Sequence, residues 1–210
     1  MQHLEKLINE QLKFKTLAWI QTSCGLSSTK KAVLAPADVK GLKARVTGKY
    51  QEQKFEKMGA GITSMPSSET YTAMQRGMLN IVICSASSQA AYKLYEVADY
   101  YTSNEDYSLI LGNEPICISL KTWDKLTPAQ QQVMLEVSEE VAKFALEGAK
   151  AENARVAKLF ADNGVEVNKL TEEQFKEFAK MAEETAFAKF KKDLPDAAWL
   201  LDAALELYGR

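Results

Sequence analysis

The spacing of apolar and polar positions changes character several times along the chain. Residues 2–12 carry Leu4, Leu7, Ile8 and Leu12 on one helical face, which predicts a short amphipathic helix. Residues 15–21 read as extended, and residues 22–29 form a polar stretch of Ser, Thr and Gly. Beyond Pro36 short apolar runs alternate with helical patterns. Strands are predicted at 44–46, 62–65, 79–84 and 97–102, with helices at 50–58, 67–76 and 87–95 between them. Gly59 and Gly77 end the first two of those helices. The alternation predicts βαβ units on a mainly parallel sheet. Residues 109–120, interrupted by Pro115, read as a longer extended segment that leaves this unit.

The remainder is mostly helical in pattern. Thr127-Pro128-Ala129-Gln130 places a Thr N-cap before Pro at the first helical position, with Gln three residues after the cap. No breaker follows until Asn163-Gly164, so the predicted helix is about 50 Å long at 1.5 Å per residue. Its apolar stripe runs through Val133, Val137, Val141, Phe144, Gly148, Val156 and Leu159. Residues 165–167 read as a strand. Thr171 to Gln174 caps a second long helix, and Pro195 opens a last one ending near Tyr208. The longest of these helices outruns one compact domain, so it is expected to brace two lobes or reach a partner subunit.

Composition narrows the chemistry. The chain has 210 residues, 46% hydrophobic and 26% charged, within the range of a soluble globular protein of one large or two modest domains. Its 26 basic and 28 acidic residues give a net charge of −2, which argues against a broad phosphate-neutralising nucleic-acid binder. One histidine, His3, excludes most Ser-His-Asp and His-zinc chemistry. Cys24, Cys84 and Cys117 are unequally spaced and form no C-x-x-C, so all three are expected to be buried small hydrophobes. No apolar run spans a bilayer and the first residues carry no visible export signal. Gly59-Ala60-Gly61 ends a helix and precedes a strand, the reverse of a dinucleotide fingerprint. The Glu/Lys runs near residues 139–150 and 172–192 read as solvated helix faces. Trp123 and Trp199 read as core anchors, whereas Trp19, beside a polar loop, is a candidate ligand contact.

Arg45 breaks this pattern. It lies inside the strand Lys43-Ala44-Arg45-Val46, where burial is expensive unless an anion meets the guanidinium. A guanidinium holds a carboxylate through two parallel hydrogen bonds, which lysine does not reproduce. Two partners remain open at this point: an internal carboxylate, Glu69 or Glu96, or a bound ligand.

The segment around Arg45, Pro36-Ala37-Asp38-Val39-Lys40-Gly41-Leu42-Lys43-Ala44-Arg45-Val46, resembles the hallmark segment of the substrate-binding proteins of TRAP (tripartite ATP-independent periplasmic) transporters. Met58-Gly59-Ala60, then Met65-Pro66-Ser67-Ser68-Glu69-Thr70-Tyr71 through Gln75-Arg76-Gly77, is similar to the same family. So are Tyr95-Glu96-Val97, Trp123-Asp124-Lys125-Leu126 and Asn163-Gly164-Val165, in the family's order, so that the likeness runs to about residue 205.

The resemblance implies a periplasmic-binding-protein-like α/β fold with βαβ units, a long bracing helix and a helical C-terminus, closing on a small organic acid. It divides the chain into residues 1–33, a remnant of the first lobe that lines the cleft; 34–108, an α/β second lobe; 109–126, a return strand and crossover; and 127–210, long helices bracing the lobes. The family's carboxylate-clamping arginine falls on Arg45, and further ligand-contact positions fall on Ser67, Cys84, Glu114 and Trp19. It implies a periplasmic, non-enzymatic protein without cofactor or metal, whose partners are an organic acid and the membrane subunits of a TRAP transporter, with no nucleic acid. Asn80-Ile81 and Leu120 depart from the family's usual residues at those places. Members also carry a further stretch, with the export signal and the first βα units, before the segment matching residue 1, so the first lobe is expected to be incomplete. That expectation brings an alternative: a truncated chain without ligand, persisting as an oligomeric scaffold, most simply a homodimer.

Overall fold

The computed structural model describes residues 2–207. The chain opens with α1 (Gln2–Leu7), a π-helical continuation (Ile8–Leu12) and the long strand β1 (Phe14–Ser28). Next come β2 (Lys43–Arg45), α2 (Lys49–Lys57), β3 (Gly61–Ile62), α3 (Thr70–Gln75), β4 (Ile81–Ser85), α4 (Ala86–Ala91) and β5 (Tyr100–Thr102). The return strand β6 (Leu111–Ser119) leads through α5 (Leu120–Trp123) to the 35-residue helix α6 (Pro128–Asp162). The chain finishes with β7 (Glu166–Asn168), α7 (Glu172–Ala182), α8 (Ala188–Asp193) and α9 (Ala198–Leu207). The predicted end of the last helix near Tyr208 lies outside the described residues, as does the side chain of Leu4.

Two compact units emerge, one formed by Met1–Thr22 with Leu111–Glu152 and the other by Ser23–Ile110 with Asn153–Arg210. The divisions fall at 22/23, 110/111 and 152/153, whereas the resemblance divides the chain after residues 33, 108 and 126. The cause is β1. The Ser/Thr/Gly stretch continues the strand to Ser28, and its last residues are sheet positions of the second unit.

In the first unit β6 pairs with β1. The amide of Leu120 donates to the Lys13 carbonyl (2.9 Å) and Cys117 lies against Thr16, so the two strands run in opposite directions. Pro115 sits within β6 without breaking it, which is tolerated where its face needs no ladder donor. Gln131 then ties α6 to the Trp123 carbonyl (2.9 Å).

The second unit holds a mixed sheet in the order β3-β2-β4-β1-β5-β7. β2 lies parallel to β3 and β4, and β5 parallel to β7. β1, entering from the other end, is antiparallel to both β4 and β5. The expectation of a mainly parallel sheet therefore holds except at its centre. Alternation along β4 sorts the two faces. Val82 and Cys84 join a core with Leu79, Leu94, Tyr101, Val156 and Phe160. Ile81 and Ile83 join the opposite one with Leu26, Ala44, Val46, Phe55 and Phe178. Ala44 and Val46 belong to that second core, so Arg45 between them is turned to the face of Val82 and Cys84.

Candidate functional site

The carboxyl ends of β2, β3 and β4 bring together the residues that carry the chemistry. β2 ends at Arg45, which is 8% exposed. Its Nε donates to the Met65 carbonyl (3.2 Å), in the segment after β3, and its Nη1 donates to the Thr47 hydroxyl (2.8 Å). Among the described residues no carboxylate pairs with it. The internal alternative fails on this point, because Glu96 accepts instead from Tyr71 Oη (3.0 Å) and pairs with Lys93 (3.7 Å). The Nη2 group has no hydrogen bond to a described residue, nor is it among the side-chain atoms that are buried without a partner. A buried guanidinium is thus held by two neutral oxygens with its charge uncompensated.

Ser67 starts a short 3-10 turn, Ser67–Glu69, two residues past the carbonyl that Arg45 holds, and the Ser67 carbonyl accepts from Thr70 Oγ1 (2.6 Å). Cys84, near the end of β4, shares the face of Arg45. Burial pushes its thiol up to about 12, Cys24 adds to the rise, and the nearby Arg45 charge opposes it. An activated nucleophile is shifted the other way, so Cys84 is an apolar wall and not a reactive group. Of the three cysteines only Cys84 is buried; Cys24 is half-buried and Cys117 exposed, against the expectation for all three. Gly25 faces Cys84 across the ladder, and Cys24 and Cys84 consequently point to opposite sides of the sheet.

Gly25 is required there by Tyr101. A Cβ at Gly25 would lie 2.1 Å from the Tyr101 hydroxyl oxygen, and the ring is fully buried, stacked on Phe160 at 4.2 Å between centroids. Tyr101 Oη donates to Asn104 Oδ1 (3.1 Å), and burial drives its ionisation far above the ordinary tyrosine range. Asn104 Nδ2 donates to Ser23 Oγ (2.7 Å) and to Asn153 Oδ1 (2.9 Å), and Asn153 Nδ2 donates to Ser23 Oγ (2.9 Å). Sequence reasoning missed Thr47, Tyr101, Asn104 and this polar cluster. Thr102, Ser103 and Asn104 are buried polar residues, and no local sequence pattern marks them as such.

Trp19 and Glu114 lie in the first unit. Trp19, on β1, is half-buried and its Nε1 is buried without a hydrogen-bond partner. Glu114 is exposed on β6 and accepts from Thr22 Oγ1 (3.2 Å). The structure therefore groups Arg45, Ser67 and Cys84 in the second unit, with Trp19 and Glu114 in the first.

The fold and these residues make an α/β domain with a buried cation at the carboxyl ends of its parallel strands, where such sheets take their ligands. Comparison with known proteins places it. The family model for bacterial extracellular solute-binding protein, family 7, matches residues 1–193, and the chain belongs to that family. A solute-binding protein of Albidiferax ferrireducens is 31% identical over 188 residues, which are 90% of this chain and 56% of that protein. The C4-dicarboxylate-binding periplasmic protein DctP of Vibrio cholerae is 30% identical, over 85% of this chain and 52% of its own length. Among solved structures, a TRAP periplasmic solute binding protein from Rhodoferax ferrireducens with bound malonate superposes with a TM-score of 0.91 at 30% identity, covering 98% of this chain and 65% of that one. One from Chromohalobacter salexigens with bound D-glucuronate gives 0.84 at 24% identity. The chain thus spans about half to two-thirds of the length of these relatives. Members of the family are solute-binding proteins and not enzymes. No described helix is long and apolar enough to cross a membrane.

Proposed function

We propose that this chain captures a small organic acid in the periplasm for a TRAP-type secondary transporter, with the acid's carboxylate held by Arg45. The observation that carries the reading is the buried Arg45 guanidinium without an internal carboxylate. Removing such a charge from water is costly, and an incoming carboxylate repays the cost through charge-assisted hydrogen bonds. Because the Met65 carbonyl occupies Nε, the open Nη1–Nη2 end is the edge offered to the carboxylate. Ser67 and Cys84 set the polarity beside it, and Trp19 and Glu114 are assigned to ligand recognition by the family likeness alone. The malonate and D-glucuronate of the two solved relatives make acids of this class the first probes.

The test is a thermal-shift screen of the 210-residue chain against malonate, succinate and D-glucuronate, run beside Arg45→Ala and Arg45→Lys. An acid at about 100 times its Kd stabilises by about 2.7 kcal/mol, equivalent to roughly 5–10 °C for a chain of this size. The expected result is a shift that Arg45→Ala abolishes and Arg45→Lys weakens at least tenfold. A shift unchanged in Arg45→Ala would end the clamp assignment.

A second reading, an oligomeric scaffold that ignores small acids, is favoured by one observation. Nine of the eleven exposed large hydrophobic side chains among the described residues lie in the first unit, Phe144 at 76% exposure the extreme. It predicts a flat acid panel together with a dimer by light scattering.

A further inference from the structure

Arg45 is long, flexible and useful to a carboxylate only in one orientation, and the side chain that fixes its free end is Thr47. Thr47 lies in the exposed bend two residues past the end of β2, and its hydrogen bond shows that the bend turns its hydroxyl to the Arg45 guanidinium. Val46 between them is buried, and Gly48, at a positive φ of 92°, turns the chain from this bend into α2. Thr47 Oγ1 accepts from Nη1 at 2.8 Å, the shorter of the two hydrogen bonds that the Arg45 guanidinium makes to described residues. Of the five N–H donors on a guanidinium, Met65 and Thr47 take two, and the remaining three are on the two Nη atoms.

From this we infer that Thr47 is a positioning residue for the carboxylate clamp, holding the Nη1–Nη2 end of Arg45 toward the ligand without neutralising it. The inference rests on the carboxylate-clamp reading given above. The chemistry of the acceptor is its core. A hydroxyl orients the guanidinium as a neutral group and leaves the full positive charge for the acid. An Asp or Glu in the same place would form a stronger, charge-assisted bond and compete directly with the ligand's carboxylate. A valine has the same β-branched shape, but leaves Nη1 free to swing.

Thr47→Val, Thr47→Ser, Thr47→Asp and Arg45→Lys are compared with wild type in the 210-residue chain, with malonate and D-glucuronate titrated by calorimetry. Thr47→Val is expected to weaken binding by about tenfold, the loss of one hydrogen bond to a charged group, while Thr47→Ser stays within about twofold of wild type. Thr47→Asp is expected to bind worst of the three, since its carboxylate occupies the clamp. In the Arg45→Lys background Thr47→Val should change nothing further. Side-chain NMR of Arg45 supplies a readout that needs no ligand: the Nη resonances, held apart in wild type and Thr47→Ser, merge through faster rotation in Thr47→Val. Unaltered binding in Thr47→Val beside a loss in Arg45→Lys would overturn the role of Thr47 and leave the clamp standing. Unaltered binding in Arg45→Lys would overturn the clamp and this inference with it. If neither acid binds, Nη resonances in Thr47→Val identical to wild type overturn the positioning role directly.

Discussion

At the scale of single residues the second unit tolerates two buried charges by different means. Arg45 is a guanidinium with donors only, so it depends on neutral acceptors and open edges. Lys54 responds by titrating. It is 2% exposed on α2, its Nζ donates to the Leu109 carbonyl (3.0 Å) and lies 5.4 Å from the centroid of the neighbouring Phe55 ring. Burial lowers its pKa from 10.5 to about 8, with Cys24 nearby working in the opposite direction. Between about pH 8 and 10.5 the unfolded chain holds a proton on this residue that the folded chain lacks, so its contribution to stability rises with pH across that window. Below about pH 8 the buried ammonium is charged, at a cost of about 3 kcal/mol set by the depressed pKa. Lys54→Met removes that cost and leaves the Leu109 carbonyl unpaired, a penalty of about 1 kcal/mol. The variant is therefore expected to melt several degrees above wild type at pH 7, with the gain disappearing by about pH 10. Melting curves at half-unit pH steps would show it. A difference constant from pH 7 to pH 10 would mean that Lys54 does not titrate in this window.

At the scale of elements, short strands and helices are held in place by polar side chains as much as by apolar packing. Asn104, in the loop after β5, links Tyr101, Ser23 at the second unit's start of β1, and Asn153 on α6. Asn104→Ala strands the fully buried Tyr101 hydroxyl and is expected to cost about 2–3 kcal/mol, whereas Asn153→Ala, which leaves the Asn104–Ser23 bond intact, costs about 1 kcal/mol. In urea unfolding the double variant should fall short of additivity by about 1 kcal/mol. Strict additivity would show the three residues acting separately. This cluster also shows where sequence reading stops. Caps are local, so Thr171 with Gln174, Pro128 after Thr127 and the Asn163-Gly164 stop are legible, and the structure has each of them. Arg45 is legible because a lone cation in an apolar strand has few explanations. The antiparallel placement of β1 is not, since nothing local in a Ser/Thr/Gly run states which strands will flank it. Nor are Tyr101 and Asn104, whose roles depend on a glycine and a helix residue 76 and 49 positions away in the chain.

At the scale of the whole molecule the two units differ in what holds them. The buried apolar side chains belong almost wholly to the second unit, and in the first, among the described residues, only Ala18 is one of them. The stripe legible along α6 divides accordingly. Val156 is fully buried in the second unit, whereas Val133, Val137 and Phe144 in the first are exposed. A strand pair without a covered face is marginal in water, and a helix draws most of its stability from the packing of its apolar side. Cooperative unfolding of the two units together is therefore not expected. Native-state hydrogen exchange should find the amides of β6 and of residues 130–150 opening at least about a hundredfold more readily than those of β4 and of residues 156–160. Phe144→Glu should leave the second unit's protection and melting temperature unchanged, because the side chain it replaces packs against little in this chain. Equal protection in both units would mean that the apolar face of the first is covered in solution. Light scattering on the same sample then decides between a second copy and a monomer, and a dimer lost in Phe144→Glu would identify that face as its interface.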